Sequence, residues 1–461
     1  MPVDEKLVRR VVSAVMASLA LGGEGARRGI FEDMSEAVAA AKKAQAVMRR
    51  LTMDQRELII AKIRAKTIEN AELFARMAVE ETGMGNVGHK ILKHRLVAEK
   101  TPGTEDIVTT AWSGDRGLTL TEMGPFGVIG AITPSTNPSE TIICNAIGMI
   151  AGGNTVVFCP HPGAAKTSLA AVSMINEACA EAGGPENAAT VAANPTVAAS
   201  AAMMKHPDIQ LITATGGPGV VTAALSSGKR AIGAGAGNPP ALADETADIA
   251  KAAADIVNGC SFDNNLPCIA EKAIVALDTV ADELIGRMVA DEGCYLIKGD
   301  ELAALTRTII TEKGLNRACV GRSARALLAM IGVNAPDSTR CVVFEGAWDH
   351  PLIKEETMTP VIGAVRARDF ADAVDTAVRL ESGNRHSAHI HSKNVDRITA
   401  YAKATDTAIL VKNAPSYAAI GFGGEGFCTF TIASRTGEGL TSAATFTKRR
   451  RCVMADSLCI R

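Results

Sequence analysis

The feature that most restricts the fold of this chain is an alternation of short apolar segments with longer helical ones between residues 128 and 214. The short segments are rich in β-branched residues: Val128–Thr133, Thr155–Phe158, Thr190–Ala193 and Leu211–Ala214. The predicted helices between them are Glu140–Ile150, Lys166–Glu181 and Val197–Met204. Such alternation is typical of a parallel sheet with helices on both faces, which binds ligands at the carboxyl ends of its strands. We therefore predict an α/β fold.

The length of the chain, 461 residues, predicts two or three domains. The glycine-rich stretch Gly233–Pro240 interrupts the first alternation, and a second one runs from about Ala241 to Val411. Apolar residues at helical spacing predict helices over Ala37–Leu51 and Asp54–Glu81. Further strands are predicted for Ile107–Ala111, Leu118–Met123 and Phe430–Ala433.

Composition and charge argue against several classes of protein. The formal net charge is −2, so no overall positive field attracts nucleic acid. The basic run Lys448–Arg451 is a local exception, which an exposed end or a subunit contact explains better. The most apolar run, Thr141–Gly153, is too short to span a membrane. The eleven cysteines are scattered without metal-ligand spacing, as is typical of free thiols in a reducing, cytoplasmic compartment.

The first 21 residues carry an apolar stripe at helical spacing. Its members are Leu7, Val8, Val11, Val12, Val15 and Leu19. Asp4 and Glu5 argue against a secretory signal, whose first residues are basic. The glycine-rich stretch Gly22–Gly25 follows as a flexible joint. Two interpretations remain open: an amphipathic helix over residues 1–21 that docks on another protein, or a first helix packed on its own domain.

Cys268 is the candidate nucleophile. Pro267 prevents regular structure just before it, and the polar residues Asn264 and Asn265 stand nearby, so the segment is predicted to be a loop or turn. A reactive cysteine needs a polar, donor-rich and partly exposed setting, because the thiolate is the attacking form. Most of the other cysteines lie in apolar segments and are better explained as small core residues.

Two strand ends carry turn residues with a possible role in binding. Asn137 follows the segment Val128–Thr133 and precedes a predicted helix, so its amide either donates a hydrogen bond to a developing oxyanion or serves as a helix cap. The stretch Thr215–Gly219 lets backbone approach a pyrophosphate, although glycine-rich turns between strand and helix are common. Local sequence leaves both alternatives open.

Taken together, the motifs resemble the coenzyme-A-acylating branch of the aldehyde dehydrogenase superfamily that is found in bacterial microcompartments. The stretches that carry the resemblance are Ile132–Pro138, Phe158–Pro162, Phe262–Lys272, Lys354–Pro360 and Gly437–Ser442. The similarity extends over nearly the whole chain. It implies oxidation of a short-chain aldehyde, with propionaldehyde ahead of acetaldehyde, with NAD as acceptor and coenzyme A as co-substrate.

The resemblance also implies roles for individual residues. Cys268 matches the nucleophile, and Asn137 matches the oxyanion-hole amide that acts with the Cys268 backbone N–H. The implied cofactor contacts are Thr133 and Pro134 at the nicotinamide, His161 at the adenosine ribose, Thr215, Gly216 and Gly217 facing the dinucleotide, and Glu356 at the nicotinamide ribose. His386 is placed near the site without a defined role.

The domain organisation implied by the resemblance has three parts besides the N-terminal segment. An NAD- and CoA-binding Rossmann-like domain takes residues 26–102 and 125–234, a catalytic domain takes 235–425, and an oligomerisation flap takes 103–124 and 426–461. The flap implies a homo-oligomer, either a dimer or a dimer of dimers. Residues 1–20 resemble a peptide that docks on a microcompartment shell protein, which implies a location inside the compartment.

One departure from hydrolytic relatives bears on the reaction. Those enzymes carry a glutamate base just before a glycine-rich turn, whereas the stretch Gly233–Gly237 contains only glycine and alanine. A positioned general base contributes roughly 10²–10⁴-fold to rate, so hydrolysis of a thioester is expected to be slow here. Coenzyme A is then the expected acyl acceptor. A hydrolytic aldehyde dehydrogenase and a non-catalytic scaffold on the same fold are the alternatives.

Overall fold

The computed structural model describes residues 28–460, and the predicted docking helix over residues 1–21 lies outside the described residues. Two parallel sheets with helices packed around them form the body of the molecule, which confirms the predicted α/β class. No helix among residues 28–460 combines the length and apolar character needed to cross a bilayer.

The first sheet has six strands, all parallel. In spatial order they are Ile30–Phe31, Ala189–Ala192, Thr155–Pro160, Val128–Thr133, Ile209–Thr215 and Ala231–Ala234. Neighbouring residues of one strand point to opposite faces, so Ile129 joins one hydrophobic cluster and Val128 joins another. Burial on both faces explains why these strands are continuously apolar in sequence.

Within the described residues, eight helices belong to the part of the chain that forms this sheet. They are Met34–Met48, Met53–Glu69, Ala71–Thr82, Val87–Lys100, Pro138–Ala151, Ala165–Glu181, Val197–Lys205 and Pro218–Leu225. The helix Pro138–Ala151 is buried along its whole length, because it lies between the sheet and the surrounding helices. Its first residues therefore start deep inside the molecule, directly after Asn137.

The second sheet has seven strands, again all parallel. In spatial order they are Cys294–Leu296, Cys341–Glu345, Val361–Ala367, Ala273–Leu277, Pro240–Ala243, Ser387–His391 and Ile409–Lys412. Its helices are Ile249–Ser261, Asp278–Ala290, Gly299–Ile309, Ala324–Met330, Pro351–Lys354, Phe370–Glu381 and Val395–Thr405. Single 3-10 turns occur at Thr104–Asp106, Pro162–Ala164, Phe262–Asn265, Ser416–Ile420 and Ala444–Phe446.

A separate antiparallel sheet joins Thr110–Gly114, Gly117–Pro125 and Thr447–Ala455. The basic run Lys448–Arg451 lies on its last strand and is exposed. The predicted flap segment 426–461 divides into two parts. Residues between Cys428 and Phe446 belong to the hydrophobic core beside the first sheet, and Thr447–Ala455 forms the strand of the antiparallel sheet. The small hairpins Ile310–Thr311 with Gly314–Leu315, and Ile432–Ala433 with Gly439–Leu440, complete the strands among the described residues.

Several local predictions were wrong, each for an identifiable reason. The helix predicted over Asp54–Glu81 is broken at Asn70, whose side-chain amide donates to the Lys66 carbonyl at 2.8 Å and competes with the helical backbone. The glycine-rich stretch from Gly233 does not follow the sheet but begins inside its edge strand. Glycine is required there because a Cβ at Gly233 would lie 2.9 Å from Val221 of the covering helix.

Candidate active site

A pocket of about 800 Å³ opens at the carboxyl ends of the first sheet. Pro134, His161 and the turn Thr215–Gly217 follow three neighbouring strands and line it, which is the position predicted for ligands. The predicted site residues that line this pocket are Pro134, Asn137, His161, Thr215, Gly216, Gly217, Cys268, Glu356 and His386. Thr133 lies behind the wall instead: it is buried, and its carbonyl accepts the His161 N–H at 3.0 Å.

Cys268 is the only one of the eleven cysteines that lines the pocket, and it is partly exposed. The segment before it contains three consecutive left-handed residues, with φ of 50° at Asp263, 55° at Asn264 and 66° at Asn265. Asparagine and aspartate tolerate this conformation better than most residues. The Asn264 amide donates to the carbonyls of Gly85 and Gly321 at 3.1 and 2.8 Å, so the strained segment is clamped from outside.

The electrostatic surroundings of Cys268 favour the thiol over the thiolate. Burial raises the pKa of Cys268 to about 12, and the charge of Glu356 acts in the same direction. Lys272 and the backbone N–H groups of Cys268 and Ile269 act against this shift. The thiol is therefore protonated at neutral pH when the pocket holds only solvent, and a positive charge brought in by a ligand would favour ionisation.

This shift predicts the pH dependence of Cys268 alkylation. Because the thiolate is the minor form over the whole ordinary range, the rate with iodoacetamide is expected to rise about tenfold per pH unit from pH 7 to 10 without a plateau. The measurement is peptide mapping by mass spectrometry, which separates Cys268 from the exposed Cys452. Cys452 serves as the internal control. A Cys268 rate that levels off below pH 9 would show that the pocket does not raise the pKa.

Asn137 occupies the N-cap position of the helix Pro138–Ala151 but makes no side-chain capping bond. Its Oδ1 accepts a hydrogen bond from the buried Lys93 ammonium instead. The Asn137 Nδ2 has one long contact within the described residues, 3.4 Å to the Thr136 hydroxyl. The helix-cap interpretation is thereby disfavoured, and a donor remains available where Asn137 lines the pocket.

The turn Thr215–Gly217 leaves backbone open to a ligand. Gly217 stands just before the helix Pro218–Leu225, and a Cβ placed on Gly217 would meet nothing within 4 Å. A helix N-terminus favours a phosphate group through its free N–H groups and its dipole. Lys313 and Arg317 also line the pocket and bring two positive charges. These features, together with the pocket volume, fit a dinucleotide or another phosphate-bearing cofactor.

His386 lies in the pocket wall as a neutral imidazole. Burial lowers its pKa to about 4, and the nearby charges of Lys272 and His389 act in the same direction. Its Nδ1 lies 3.0 Å from the Ser387 hydroxyl, whereas its Nε2 has no hydrogen-bond partner in residues 28–460. A neutral, unpartnered ring nitrogen at neutral pH is able to accept a proton.

No carboxylate comes from the segment where hydrolytic relatives carry their base. Ala234, Gly235 and Ala236 line the pocket there. A Cβ on Gly237 would lie 2.8 Å from the His386 ring and 3.0 Å from the Cys268 carbonyl, so no larger side chain fits at that position. The carboxylate that acts on Cys268 is Glu356, whose own pKa is raised by burial in spite of Lys272 and the Gly237 N–H.

Sequence reasoning missed some residues of this region. Lys93 and Asp263 are buried behind Asn137 and Cys268. Lys93 lies in no motif, and Asp263 lies within the stretch Phe262–Lys272 but was given no role. Lys313 lies in the turn of the short hairpin that joins Ile310–Thr311 to Gly314–Leu315, and Arg317 follows that hairpin. Both are far in sequence from the residues that follow the strands of the first sheet. Lys313 and Arg317 reach the pocket only through the tertiary fold. The one local sign in the sequence was that two cations stand close together.

The family model for the aldehyde dehydrogenase family matches residues 26–442.

The chain belongs to the aldehyde dehydrogenase family.

Among curated relatives, a propanal dehydrogenase (CoA-propanoylating) from Salmonella typhimurium strain LT2 is 43% identical over 461 residues, covering 99% of each chain. An acetylating acetaldehyde dehydrogenase of the same strain is 44% identical over 467 residues, covering 98% of this chain and 99% of the relative.

Solved structures of this family share the fold closely. A propionaldehyde dehydrogenase from the fucose utilisation microcompartment of Clostridium phytofermentans is 72% identical with a TM-score of 0.94, covering 94% of this chain and 100% of that one. A propionaldehyde dehydrogenase from Rhodopseudomonas palustris, solved with bound CoA and an acylated cysteine, is 52% identical with a TM-score of 0.92. That alignment covers 94% of this chain and 99% of the relative.

Proposed function

We propose that this enzyme oxidises a short-chain aldehyde, propionaldehyde first, to its acyl-CoA with NAD as acceptor, through a thioester on Cys268. The main support is that one pocket contains Cys268, Asn137 and the glycine-rich turn Thr215–Gly217. The segment Ala234–Gly237 contributes no carboxylate to this pocket. The similarity to CoA-propanoylating relatives supports the choice of reaction.

The Cys268 thiol first loses its proton to solvent, and the thiolate then attacks the aldehyde carbon. A sulfur–carbon bond forms, and the electron pair of the C=O bond moves to oxygen. The Asn137 Nδ2 and the Cys268 backbone N–H are the two donors available to that oxyanion, and such donors act most strongly in a pocket that excludes water. The result is a thiohemiacetal held on Cys268.

Oxidation then removes the hydrogen of the former aldehyde carbon with its electron pair, and the C=O bond re-forms as a thioester. NAD supplies the hydride acceptor when bound. Thr215, Gly216 and Gly217 with the helix start at Pro218 would hold its phosphates, and Glu356 would hold the nicotinamide ribose. Lys313 and Arg317 add positive charge at the same pocket for either NAD or coenzyme A.

The acyl group leaves by attack of the coenzyme A thiol on the thioester carbon. His386 Nε2 is the acceptor in line for the thiol proton, because it has no other partner in residues 28–460. Its pKa near 4 makes it a weak base for a thiol, so the proton moves only as the new sulfur–carbon bond forms. The new sulfur–carbon bond forms, the bond to the Cys268 sulfur breaks, and the departing thiolate recovers the proton from His386. Kinetically this sequence is ping-pong.

The test of this function is an NADH assay with propionaldehyde, with and without coenzyme A. Without coenzyme A we expect a burst of about one NADH per active site, followed by slow turnover, because the acyl-enzyme has no efficient acceptor. With coenzyme A we expect steady turnover and propionyl-CoA by mass spectrometry. No NADH from any short aldehyde would contradict the proposal, and acetaldehyde run in parallel decides between the two chain lengths.

The hydrolytic alternative rests on Glu356, whose charge reaches Cys268. In that case Glu356 would activate water, and propionate would dominate even with coenzyme A present. The stretch Ala234–Gly237 disfavours it, because these residues line or border the pocket and carry no carboxylate. Propionate as the main product in the same assay would establish hydrolysis and reject acyl transfer.

The proposal also covers the subunit interface, a shell-protein partner and the location of the enzyme. We assign the antiparallel sheet of Thr110–Pro125 and Thr447–Ala455 to subunit contacts in a dimer or dimer of dimers, because both of its outer strands are exposed. Residues 1–20 dock on a microcompartment shell protein in this proposal, which places the enzyme inside a bacterial microcompartment.

The first sheet with residues 26–102 and 125–234 is the NAD- and CoA-binding domain, and residues 235–425 are the catalytic domain. No role in nucleic-acid binding is assigned to Lys448–Arg451.

A further inference from the structure

Behind the pocket, four charged side chains are buried together. This buried ion cluster consists of Lys90, Lys93, Glu140 and Asp263, each at most 1% exposed. It contains two ammonium groups and two carboxylates, so its formal charges balance. Full burial of ions is costly, because each charge loses its hydration, and removal of one partner leaves an uncompensated charge. None of the four has a role in the chemistry described above.

Lys93 is the member that contacts the reactive residues. Its Nζ donates to the Asn137 Oδ1 and to the Asp263 Oδ2, the latter at 2.5 Å, and lies 3.0 Å from the Glu140 Oε1. Burial works to lower the pKa of Lys93, but Asp263 and Glu140 outweigh it and raise the pKa. Lys93 therefore carries a full positive charge.

The contact fixes which way the Asn137 amide faces. An ammonium group donates hydrogen bonds and accepts none, so the amide oxygen of Asn137 must face Lys93. The Nδ2 group then faces away from Lys93, and within residues 28–460 it makes a single long contact, to Thr136, which also lines the pocket. A positive charge on the oxygen side also draws electrons from Nδ2 and makes it a stronger donor.

The second contact of Lys93 reaches the nucleophile segment. Asp263 opens the left-handed stretch that leads to Cys268, and its other carboxylate oxygen accepts the Asn86 N–H at 2.8 Å. A run of left-handed residues persists only where its surroundings hold it. One ammonium thus connects the segment that presents Cys268 with the amide of Asn137, although the two come from different sheets.

We propose that Lys93 is a positioning residue that aligns the two halves of the oxyanion site, by fixing the Asn137 amide through its oxygen and the Cys268 segment through Asp263. This proposal rests on the function proposed above. Lys93 does not touch the substrate in this arrangement. It lowers the barrier to thiohemiacetal formation and leaves cofactor binding alone.

Lys90 provides a matched control. It lies one turn earlier on the same helix, is equally buried, and donates to Asp263 at 3.1 Å, but its other hydrogen bond goes to the Thr136 carbonyl at 2.9 Å and not to the Asn137 amide. Lys93→Met and Lys90→Met therefore remove the same charge from the same cluster. Only the first removes the contact to Asn137.

The experiment is a double-mutant cycle on the rate of the NADH burst, with Asn137→Ala as the second substitution. Loss of an oxyanion donor costs about 10²–10³-fold, and Lys93→Met is expected to cost about 10²-fold alone. In the Asn137→Ala background Lys93→Met is expected to cost at most about tenfold, because one of the two groups it positions is gone and only the contact through Asp263 remains. The Lys90→Met loss is expected to persist in that background. NAD affinity, measured by fluorescence titration, is expected to stay within about twofold in all variants.

Two results would overturn the inference: a Lys93→Met loss that is as large in the Asn137→Ala background as alone, or a Lys90→Met loss that disappears there in the same way. If Lys93→Met does not fold, Lys93→Met/Glu140→Gln keeps the charge of the cluster balanced and replaces it in the cycle. A wild-type enzyme without an NADH burst would reject the proposed function. If the wild-type enzyme shows the burst and the rate losses of Lys93→Met and Asn137→Ala multiply in the double variant, only the positioning role of Lys93 is rejected.

Discussion

Cys268→Ala is expected to abolish acyl-CoA formation, with kcat lowered by at least about 10⁴-fold, while NAD affinity stays within about twofold. The sulfur is the atom that holds the substrate through both half-reactions, and no other cysteine lines the pocket to replace it. Because alanine removes only one partly exposed atom, the fold and the cofactor contacts should persist. The measurements are the NADH burst, steady-state acyl-CoA production and NAD titration.

Cys452→Ala is the control for this prediction, since it removes an exposed thiol on the strand Thr447–Ala455, away from the pocket. It is expected to keep wild-type turnover. Normal turnover of the Cys268→Ala enzyme would end the proposed mechanism. A burst that disappears together with NAD binding would instead assign Cys268 a structural role.

Strands buried on both faces were the part of the fold that sequence predicted best. The segment Val128–Thr133 has the same bounds in sequence and structure, because burial on two faces makes the strand apolar as far as its last residue, Thr133. The turns after such strands were also informative: Pro134 and the stretch Thr215–Gly217 lie in the pocket. Parallel strands end at one edge of a sheet, so local predictions combine there into a site.

The helix Val87–Lys100 shows why other parts were missed. Its buried residues include Lys90, Lys93 and His94, so its inner face is charged and gives no hydrophobic periodicity. The compensating acids, Glu140 and Asp263, lie 47 and 170 residues further along the chain from Lys93. The buried ion cluster forms only when the fold brings its four residues together, so no short sequence motif predicts it.

Cys268 and Asn137 represent an intermediate case. Local chemistry identified both as candidates, but each had a structural alternative that sequence could not remove. The structure disfavours the helix-cap role of Asn137, because its side chain bonds to Lys93 and caps nothing. Asn264 and Asn265, which suggested a polar setting for Cys268, act mainly as clamps of a left-handed segment. The residue types were informative, whereas the reason for them was visible only in three dimensions.

His386→Gln is expected to separate the two half-reactions. The NADH burst should keep a rate within about threefold of wild type, because His386 takes no part in attack or oxidation. Steady-state acyl-CoA formation at pH 7 should fall by up to about 30-fold, because about 3% of an ordinary thiol is ionised at that pH and reacts without a base. Glutamine keeps a polar group in the buried wall but has no proton-accepting nitrogen in this pH range. The burst is measured by stopped flow, and acyl transfer by adding coenzyme A to acyl-enzyme formed beforehand.

The pH profile distinguishes a base from a structural residue. In wild type His386, with its pKa near 4, stays neutral at any pH above that value, so its capacity to take the proton during attack, and with it acyl transfer, should change little between pH 6 and 8. Without the base, the reaction depends on coenzyme A thiolate, and an ordinary thiol has a pKa of about 8.5, so the His386→Gln rate should rise about tenfold per pH unit in that range. The defect therefore shrinks as pH increases. A defect of constant size from pH 6 to 8, or one that appears in the burst, would mean that His386 shapes the pocket and transfers no proton.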